Sequence, residues 1–345
     1  MARNISRRSV IGGVASMTTA GMLFPARAQQ DTIAAIYEAA KKEGKVVFFS
    51  SNDVKPNQES AKLFAQKYPG IAVEAFKIEP GPAIERIISE ATSGRQSADV
   101  VDSPISYTPL LMNRDLVVSY PFDKVFGIPN EDLLFGNRAI HSYNLDVPIA
   151  FNTNMAKAAD FAGGWDSITD PKWRGKFLLE ARGIVFPLLT LAWGEERAFA
   201  LLQKLIDNKP IIIKGGTPTI EALAGGQGAV AVGTYGGRVL QYQKEGAPVD
   251  WARVGPIPAM IYSQMVVKGA PHPNAALLWA AWTSTPEHLG ELYKHHYFGR
   301  LRGPNISPLG KEMQAAGAQI VFESTDANEM QRLLAKAGAM IGGLR

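Results

Sequence analysis

Patterns typical of buried strands alternate with patterns typical of amphipathic helices through the first third of this chain. Apolar residues recur at helical spacing after Thr32 and stop at Gly44, a residue type that favours helix ends, and a short apolar run follows at once. The same features recur twice more, predicting helices over 33–43, 57–67 and 83–93 and strands over 45–50, 71–76 and 98–102. Such alternation predicts an α/β protein with a mixed, mostly parallel sheet covered by helices.

A stretch rich in Pro, Asn, Gly and Asp over 120–144 interrupts this alternation and predicts a long irregular connection before a strand near 147–152. The alternation then restarts, predicting strands over 176–180, 211–214, 229–232 and 265–268, helices over 188–208, 219–224, 238–244 and 274–282, and a helical tail from 314. With 345 residues and 46% apolar composition, the chain is long enough for two packed lobes.

The first 28 residues have the features of an export signal. Arg7-Arg8 resembles a twin-arginine motif, the apolar run after it is too short for a membrane span, and Ala26-Arg27-Ala28 is a small-residue cleavage site. We therefore expect residues 1–28 to be a twin-arginine signal peptide, a mature chain beginning at Gln29, and a periplasmic location.

The net charge of +4 comes from this leader, which holds four of the 36 basic residues and none of the 32 acidic ones. The remaining chain is formally neutral, which argues against a nucleic-acid or membrane-surface role based on a positive field. The chain has no cysteine, so disulfides, thiolate metal sites and cysteine nucleophiles are excluded.

Small hydroxyl and amide residues follow the predicted strands, where parallel α/β sheets bind ligands and helix N-termini favour anions. The candidates from these junctions are Ser50, Ser51, Asn52, Ser103 and Thr217. Ser103 and Thr217 each precede a proline, so both also fit helix N-caps with proline at the first helical position.

Four further candidates carry larger polar groups. Glu180 and Arg182 follow the apolar strand pattern at 177–179, and an arginine there grips a carboxylate or phosphate with two parallel N–H bonds. A surface ion pair between the two is the alternative. Tyr235 lies in a glycine-rich loop that tolerates close ligand approach, and Tyr262 follows a second crossing at Pro256 and Pro258.

Metal and hydrolase chemistry find little support in the sequence. His288, His295 and His296 lack the H-E-x-x-H spacing of a zinc site, so we expect no metal site and no cofactor. The chain also lacks the G-x-S-x-G, S-x-x-K and P-loop motifs. An exported enzyme with Glu180 as general base stays an alternative.

The segment Trp165-Asp-Ser-Ile-Thr-Asp-Pro-Lys-Trp-Arg-Gly-Lys176 resembles the W-D-x-L-x-D-P-K-W-x-G-K signature of periplasmic solute-binding proteins of ABC importers, in the branch that includes the ferric-ion-binding proteins. Further similar segments are 39–44, 97–101, 149–154 and 222–231. The resemblance implies a two-lobed, type II periplasmic-binding fold that delivers a solute to an inner-membrane permease. Trp165 and Trp173 would brace a lobe.

Ferric binders of this branch hold iron with two adjacent tyrosines, a histidine and a carboxylate. Here the matching loop, 233–236, has only Tyr235, and Ser51 and Asn52 stand at the histidine position. An organic or phosphonate anion, or a metal chelate, therefore fits better than bare Fe³⁺. A ferric-iron binder that uses Tyr235 with an exogenous anion is the alternative.

From these observations we expect a monomeric, non-enzymatic importer component that captures a small polar, anionic solute between its lobes. Lobe 1 would comprise 29–148 and 258–300, and lobe 2 would comprise 149–257 and 301–345. Hinges near 147–152 and 255–258 would permit closure. A periplasmic sensory module that presents a ligand to a receptor is not distinguished by sequence.

Overall fold

The computed structural model describes residues 32–303 and 305–343, and it contains two separate β-sheets. The predicted signal peptide lies outside these residues. Within the described ranges, no helix is long and apolar enough to cross a membrane.

The first sheet has seven strands and defines the first lobe. Its strands are β1 (Lys45–Ser50), β2 (Ala72–Lys77), β3 (Val100–Pro104), β4 (Leu133–Leu134), β5 (Ala139–Asp146), β11 (Ile257–Val266) and β12 (Ile320–Phe322). The strand order is β2-β1-β3-β11-β5-β4, and β12 pairs with one end of β11. Strand β11 is ten residues long, is buried throughout and lies in the interior of this sheet between β3 and β5.

The second sheet has five strands and defines the second lobe. Its strands are β6 (Ala150–Asn152), β7 (Phe177–Glu180), β8 (Ile211–Ile213), β9 (Val230–Val232) and β10 (Val249–Trp251), in the order β10-β6-β9-β7-β8. The two-lobed α/β architecture predicted from the sequence is confirmed. In each sheet, however, parallel and antiparallel pairings occur in equal number, because strands near the crossings run against their neighbours.

Thirteen α-helices in the described ranges cover the two sheets. In the first half of the chain they are α1 (Ile33–Glu43), α2 (Val54–Lys67), α3 (Pro80–Thr92), α4 (Thr108–Met112) and α5 (Phe122–Phe126). The remainder are α6 (Val185–Trp193), α7 (Glu195–Asp207), α8 (Gly216–Ala224), α9 (Gly236–Lys244), α10 (Pro273–Trp282), α11 (Pro286–His296), α12 (Pro308–Ala315) and α13 (Ala327–Gly342). Helix α10 is buried on all sides, which its apolar sequence allows.

Two short linkers connect the sheets, one from β5 to β6 and one from β10 to β11. They run side by side, because the Val147 amide donates to the Pro258 carbonyl at 2.8 Å and the Ala252 amide donates to the Ile149 carbonyl at 2.9 Å. The buried Trp165 donates its indole N–H to the Pro256 carbonyl at 2.8 Å. The tryptophan of the sequence signature thus braces the second linker as well as packing in the core.

Several predicted elements differ in the structure. The helix expected over 188–208 is two helices, α6 and α7, which are separated at Gly194 with φ +80°. The segment 120–144 was expected to be irregular, but it contains α5 and most of β5. Polar residues in β5, such as His141 and Asn144, are buried there, and Asn144 donates to the Met260 carbonyl, so their polarity misled the prediction.

The carboxy-terminal prediction and two capping predictions were also wrong. The tail from 314 is not one helix, because β12 separates α12 from α13. Lobe 2 was expected to hold all of 301–345, yet β12 pairs with β11 in the first sheet, while α13 packs on α6 and α7. Ser103 lies inside β3 instead of capping a helix, and Thr217 lies in the first turn of α8, whose N-cap is Gly215. The other lobe boundaries stay predictions.

Candidate functional site

A cavity of about 490 Å³ lies between the two lobes, and residues of both lobes line it. The first lobe contributes the loops after β1, β2 and β3, the first turn of α3 and parts of β5 and β11. The second lobe contributes the loop after β7, helix α6 and the N-terminal ends of α8 and α9. Helix α13 closes one side with Met330 and Leu334. This volume falls within the range of small-molecule sites.

Six of the nine predicted site residues line this cavity, namely Ser51, Asn52, Arg182, Thr217, Tyr235 and Tyr262. Residues up to 211 positions apart in sequence, Ser51 and Tyr262, thus meet at one place, as the rule for strand ends predicts. Whether they touch a solute stays a prediction.

The other three predicted residues, Ser50, Ser103 and Glu180, lie behind the cavity wall and are almost fully buried. The Ser50 hydroxyl donates weakly to Asp102 at 3.4 Å and accepts from the Asn52 amide at 3.1 Å, so it shapes the loop after β1. Ser103 faces the neighbouring strand, where Ser263 donates to its carbonyl. Their place in the structure is that of supporting residues.

Glu180 connects the loop after β7 to the loop before α8 in the second lobe. Its side chain is 1% exposed, and its carboxylate accepts from Arg182 Nε at 3.0 Å, from the Arg182 amide at 3.1 Å and from the Gly215 amide at 3.3 Å. With its oxygens so engaged, the carboxylate is poorly placed to take a proton from a substrate. The structure therefore offers no support for the alternative of an enzyme with Glu180 as base.

Two ion pairs cross the cavity from one lobe to the other. In the first pair, Arg238 Nη2 on α9 of the second lobe lies 2.8 Å from Asp53 Oδ2 of the first lobe. Asp53 Oδ1 also lies 2.6 Å from Nζ of Lys77, which belongs to the same lobe as Asp53. Burial alone would raise the pKa of Asp53, but Lys77 and Arg238 outweigh it and lower the pKa. The second pair, Arg182 with Glu79, is looser, with 3.8 Å between Nη1 and Oε2.

A stack of three aromatic rings forms part of the first-lobe wall. The rings of Tyr262 and Tyr143 lie 4.9 Å apart at 14°, and those of Tyr143 and Phe298 lie 5.7 Å apart at 12°. Tyr262 and Phe298 line the cavity, and Arg238 lies over the Phe298 ring at 5.2 Å. Such packing supplies a rigid apolar surface.

Two carboxyl groups beside this wall are buried and titrate far from their ordinary range. Burial raises the pKa of Asp102 to about 7, against hydrogen bonds from Tyr143 and Ser50. Burial likewise raises the pKa of Glu323 to about 7, although it accepts from the Ile261 amide at 2.8 Å and the Ile105 amide at 3.2 Å. Near neutral pH both groups are therefore partly protonated.

Several cavity residues were not predicted from the sequence, chiefly Asp53, Lys77, Glu79, Arg238, Phe298 and Glu323. A detectable signal exists for the first three, because Asp53 follows Asn52 in the same loop and Lys77 and Glu79 follow a predicted strand. Arg238 lies three residues after Tyr235, one helical turn into α9. Glu323 and Phe298 have no such signal, since only the tertiary fold brings their segments to the cavity.

Metal ligands do not cluster in the described part of the chain. His288 is buried, contacts Ser60 Oγ and the Thr283 carbonyl at 2.8 Å each, and has its pKa lowered by burial to about 4. His296 pairs with Glu59 at 2.8 Å, and His295 lies near Glu291. Burial raises the pKa of the Tyr235 phenol.

The architecture matches that of solved transport proteins over most of its length. A substrate-binding protein of an ABC transporter from Agrobacterium tumefaciens gives a TM-score of 0.72 at 14% identity, over 88% of this chain and 96% of that one. The chain has the fold of ABC-transporter substrate-binding proteins. Iron-bound HitA from Pseudomonas aeruginosa shares this fold, with a TM-score of 0.70 at 17% identity over 85% of this chain and 99% of that one.

A third example of the substrate-binding-protein fold is AfuA from Actinobacillus pleuropneumoniae with fructose-6-phosphate bound. Its TM-score is 0.68 at 20% identity, over 87% of this chain and 99% of that one. No protein-family model and no curated protein matches the chain. The likeness confirms the two-lobed fold expected from the sequence signature, and at these identities it establishes the fold alone.

Proposed function

We propose that this chain is the substrate-binding component of an ABC-type importer, which holds a small polar solute in the cleft and delivers it to a membrane permease. The observation that carries this proposal is the cavity of about 490 Å³ that both lobes line, in a fold shared with substrate-binding proteins. Capture and release require no turnover, so we propose no enzymatic activity.

We propose that the solute carries an anionic group that binds on the second-lobe side of the cavity. Glu180 engages Nε of Arg182, and the Arg182 side chain lines the cavity together with Glu79 and Tyr235. The first turn of α8 adds the Gly216 and Thr217 amides beside it, at the positive end of a helix dipole. A bidentate arginine together with a helix N-terminus is a common arrangement for binding a carboxylate or phosphoryl group.

The cellular setting follows from the predicted leader. We propose export through the twin-arginine route, cleavage before Gln29, and a monomer that meets its permease in the periplasm. An intact mass that begins at Gln29 in a periplasmic fraction supports this location, and retention in the cytoplasm after Arg7→Lys and Arg8→Lys supports the export route. A leader that stays uncleaved contradicts both.

The decisive experiment is native mass spectrometry of the mature protein purified from its host, followed by small-angle scattering with the solute removed and restored. We expect a co-purifying small molecule, and a smaller radius of gyration when it is bound. A scattering profile that stays unchanged with a verified tight binder overturns the proposal.

A ferric-iron binder is the less favoured alternative. Tyr235 and Tyr262 both line the cavity, but no histidine is among the described residues that line it. Titration with Fe³⁺ plus carbonate or citrate is expected to give no tyrosinate charge-transfer band. A visible band that is lost in Tyr235→Phe restores this alternative.

A further inference from the structure

The charges that line the cavity are balanced. Its basic residues are Lys77, Arg182 and Arg238, and its acidic residues are Asp53, Glu79 and Glu323. Glu180, directly behind Arg182, adds another carboxylate. A ligand with two or more negative charges meets repulsion from these carboxylates, so the lining disfavours a polyanion.

The two cross-lobe ion pairs differ in strength. Arg238 and Asp53 are in contact at 2.8 Å, and the Arg238 side chain is largely buried. Arg182 and Glu79 are separated by 3.8 Å, and their side chains are 49% and 58% exposed. A pair this loose and solvated contributes little, so a ligand displaces it at small cost.

Closure around a ligand removes water from Glu79 and from the outer nitrogens of Arg182, whose Nε already pairs with Glu180, and these groups then need partners. A simple anion satisfies Arg182 but places a second negative charge beside Glu79. A ligand with adjacent positive and negative groups can place its negative group on Arg182 and its positive group on Glu79 without moving the two residues apart. The loose ion pair is therefore complementary to a zwitterion.

Part of the cavity lining is apolar. Tyr262 and Phe298 present the aromatic stack, and Leu188, Met330 and Leu334 present aliphatic side chains. The volume of about 490 Å³ is far larger than a bare ion or a two-carbon zwitterion fills. An apolar ring or chain is needed to displace the water from this apolar part of the lining.

We propose that the solute is a zwitterionic amino carboxylate with an aromatic or similarly bulky apolar group. Its carboxylate binds Arg182, its ammonium binds Glu79, and its apolar group packs against Tyr262 and Phe298. This assignment rests on the proposed function and specifies the class of solute within it.

Four matched probes test each part of the assignment by calorimetry. L-Phenylalanine has all three groups, 3-phenylpropanoate lacks the ammonium, phenethylamine lacks the carboxylate, and L-alanine lacks the ring. We expect L-phenylalanine to bind at least tenfold more tightly than each of the others. Equal or tighter binding of 3-phenylpropanoate disproves ammonium recognition, and equal binding of L-alanine disproves the apolar subsite.

Two variants separate the roles of the paired residues. Glu79→Gln is expected to reduce the preference for L-phenylalanine over 3-phenylpropanoate to threefold or less, and Arg182→Gln to weaken L-phenylalanine tenfold or more. Glu74→Gln removes an exposed carboxylate that pairs with Lys45 away from the cavity and should change neither value. An unchanged preference in Glu79→Gln overturns the pairing with the ammonium.

The remaining outcomes distinguish this inference from the proposed function. If none of the four probes binds but a different solute co-purifies and closes the lobes, the zwitterion assignment is wrong and the importer role stands. If no probe binds, no solute co-purifies and an extract of host metabolites leaves the scattering profile unchanged, both are wrong.

Discussion

Arg238 on α9 of the second lobe contacts Asp53 of the first lobe, with Nη2 2.8 Å from Oδ2. The same carboxylate binds Lys77 of its own lobe at 2.6 Å. Asp53 therefore holds two cations, one on each side of the cleft, and joins the lobes without a ligand. Opening the cleft separates Arg238 from Asp53, while Asp53 keeps Lys77 as a partner.

The first prediction concerns this contact. Asp53→Asn removes the charge that attracts Arg238, so the ligand-free protein should open further and show a larger radius of gyration by small-angle scattering. Glu74→Gln, which breaks an exposed ion pair within the first lobe, is the control and should scatter like the unmodified protein. Identical profiles for Asp53→Asn and the control mean that other contacts hold the lobes together.

The second prediction concerns anion binding. Arg182→Ala should weaken binding of the native solute by more than tenfold, about 1.4 kcal/mol or more, because the guanidinium is lost from the cavity. Its melting temperature should fall, because the buried Glu180 carboxylate loses its arginine partner, so affinity is measured at a temperature well below the unfolding transition. Arg197→Ala removes an exposed arginine that pairs with Asp166 and should bind normally. Equal affinity in Arg182→Ala shows that the anionic group binds elsewhere.

The third prediction concerns close packing at the start of α9. A Cβ at Gly237 would lie 2.6 Å from the Tyr297 carbonyl oxygen, so Gly237→Ala forces the backbone to move. We expect the free energy of unfolding in urea to fall by about 1–3 kcal/mol. Gly290→Ala adds a Cβ in open space on exposed α11 and should raise stability by about 0.5–1 kcal/mol. An unchanged free energy of unfolding in Gly237→Ala means that the start of α9 can move to accommodate the added Cβ.

The fourth prediction concerns pH. Because burial raises the pKa of Asp102 to about 7, the folded protein keeps this proton between pH 4 and 7 while the unfolded chain loses it. The contribution of Asp102 to stability is therefore lost as pH rises through this window. Asn cannot ionise, so Asp102→Asn does not lose this contribution. The free energy of unfolding of Asp102→Asn, relative to that of the unmodified protein, should therefore rise by about 1.4 kcal/mol per pH unit between pH 4 and 7 and stay constant above pH 7.

Urea denaturation at pH 5, 6 and 7.5 measures this difference. Asp115→Asn is the control. Lys268 lowers the pKa of the exposed Asp115, so this carboxylate is ionised over this pH range in both the folded and the unfolded protein. A difference between Asp102→Asn and the unmodified protein that does not vary with pH shows that Asp102 is ionised in the folded state.

The sequence predicts best where local pattern and tertiary environment agree. Helix α1 begins after Thr32, whose hydroxyl accepts from the Ala35 amide, and ends at Gly44 with φ +77°, as expected from its spacing and its cap residues. Strand β5 was missed because buried polar residues mimic a loop. The fold satisfies Asn144, for example, with the Met260 carbonyl and the Leu301 amide, which are far away in sequence.

The same reasoning applies to the site. Residues that directly follow strands, such as Ser51 and Arg182, were found because parallel topology determines where strand ends lie. The sequence did not predict which of these side chains are exposed to the cavity. Glu180 and Arg182 are only two positions apart, yet Glu180 is buried and Arg182 is half-exposed. Glu323 reaches the cavity through the pairing of β12 with β11, a long-range contact without a local signal.

The paired linkers determine how the lobes move. Because hydrogen bonds at Val147 and Ala252 join them into a two-stranded ribbon, the ribbon bends readily across its plane but resists sliding and stretching within it. We therefore expect the relative motion of the lobes to be reduced to essentially one degree of freedom. Arg238 and Asp53 should consequently meet in the same register at every closure.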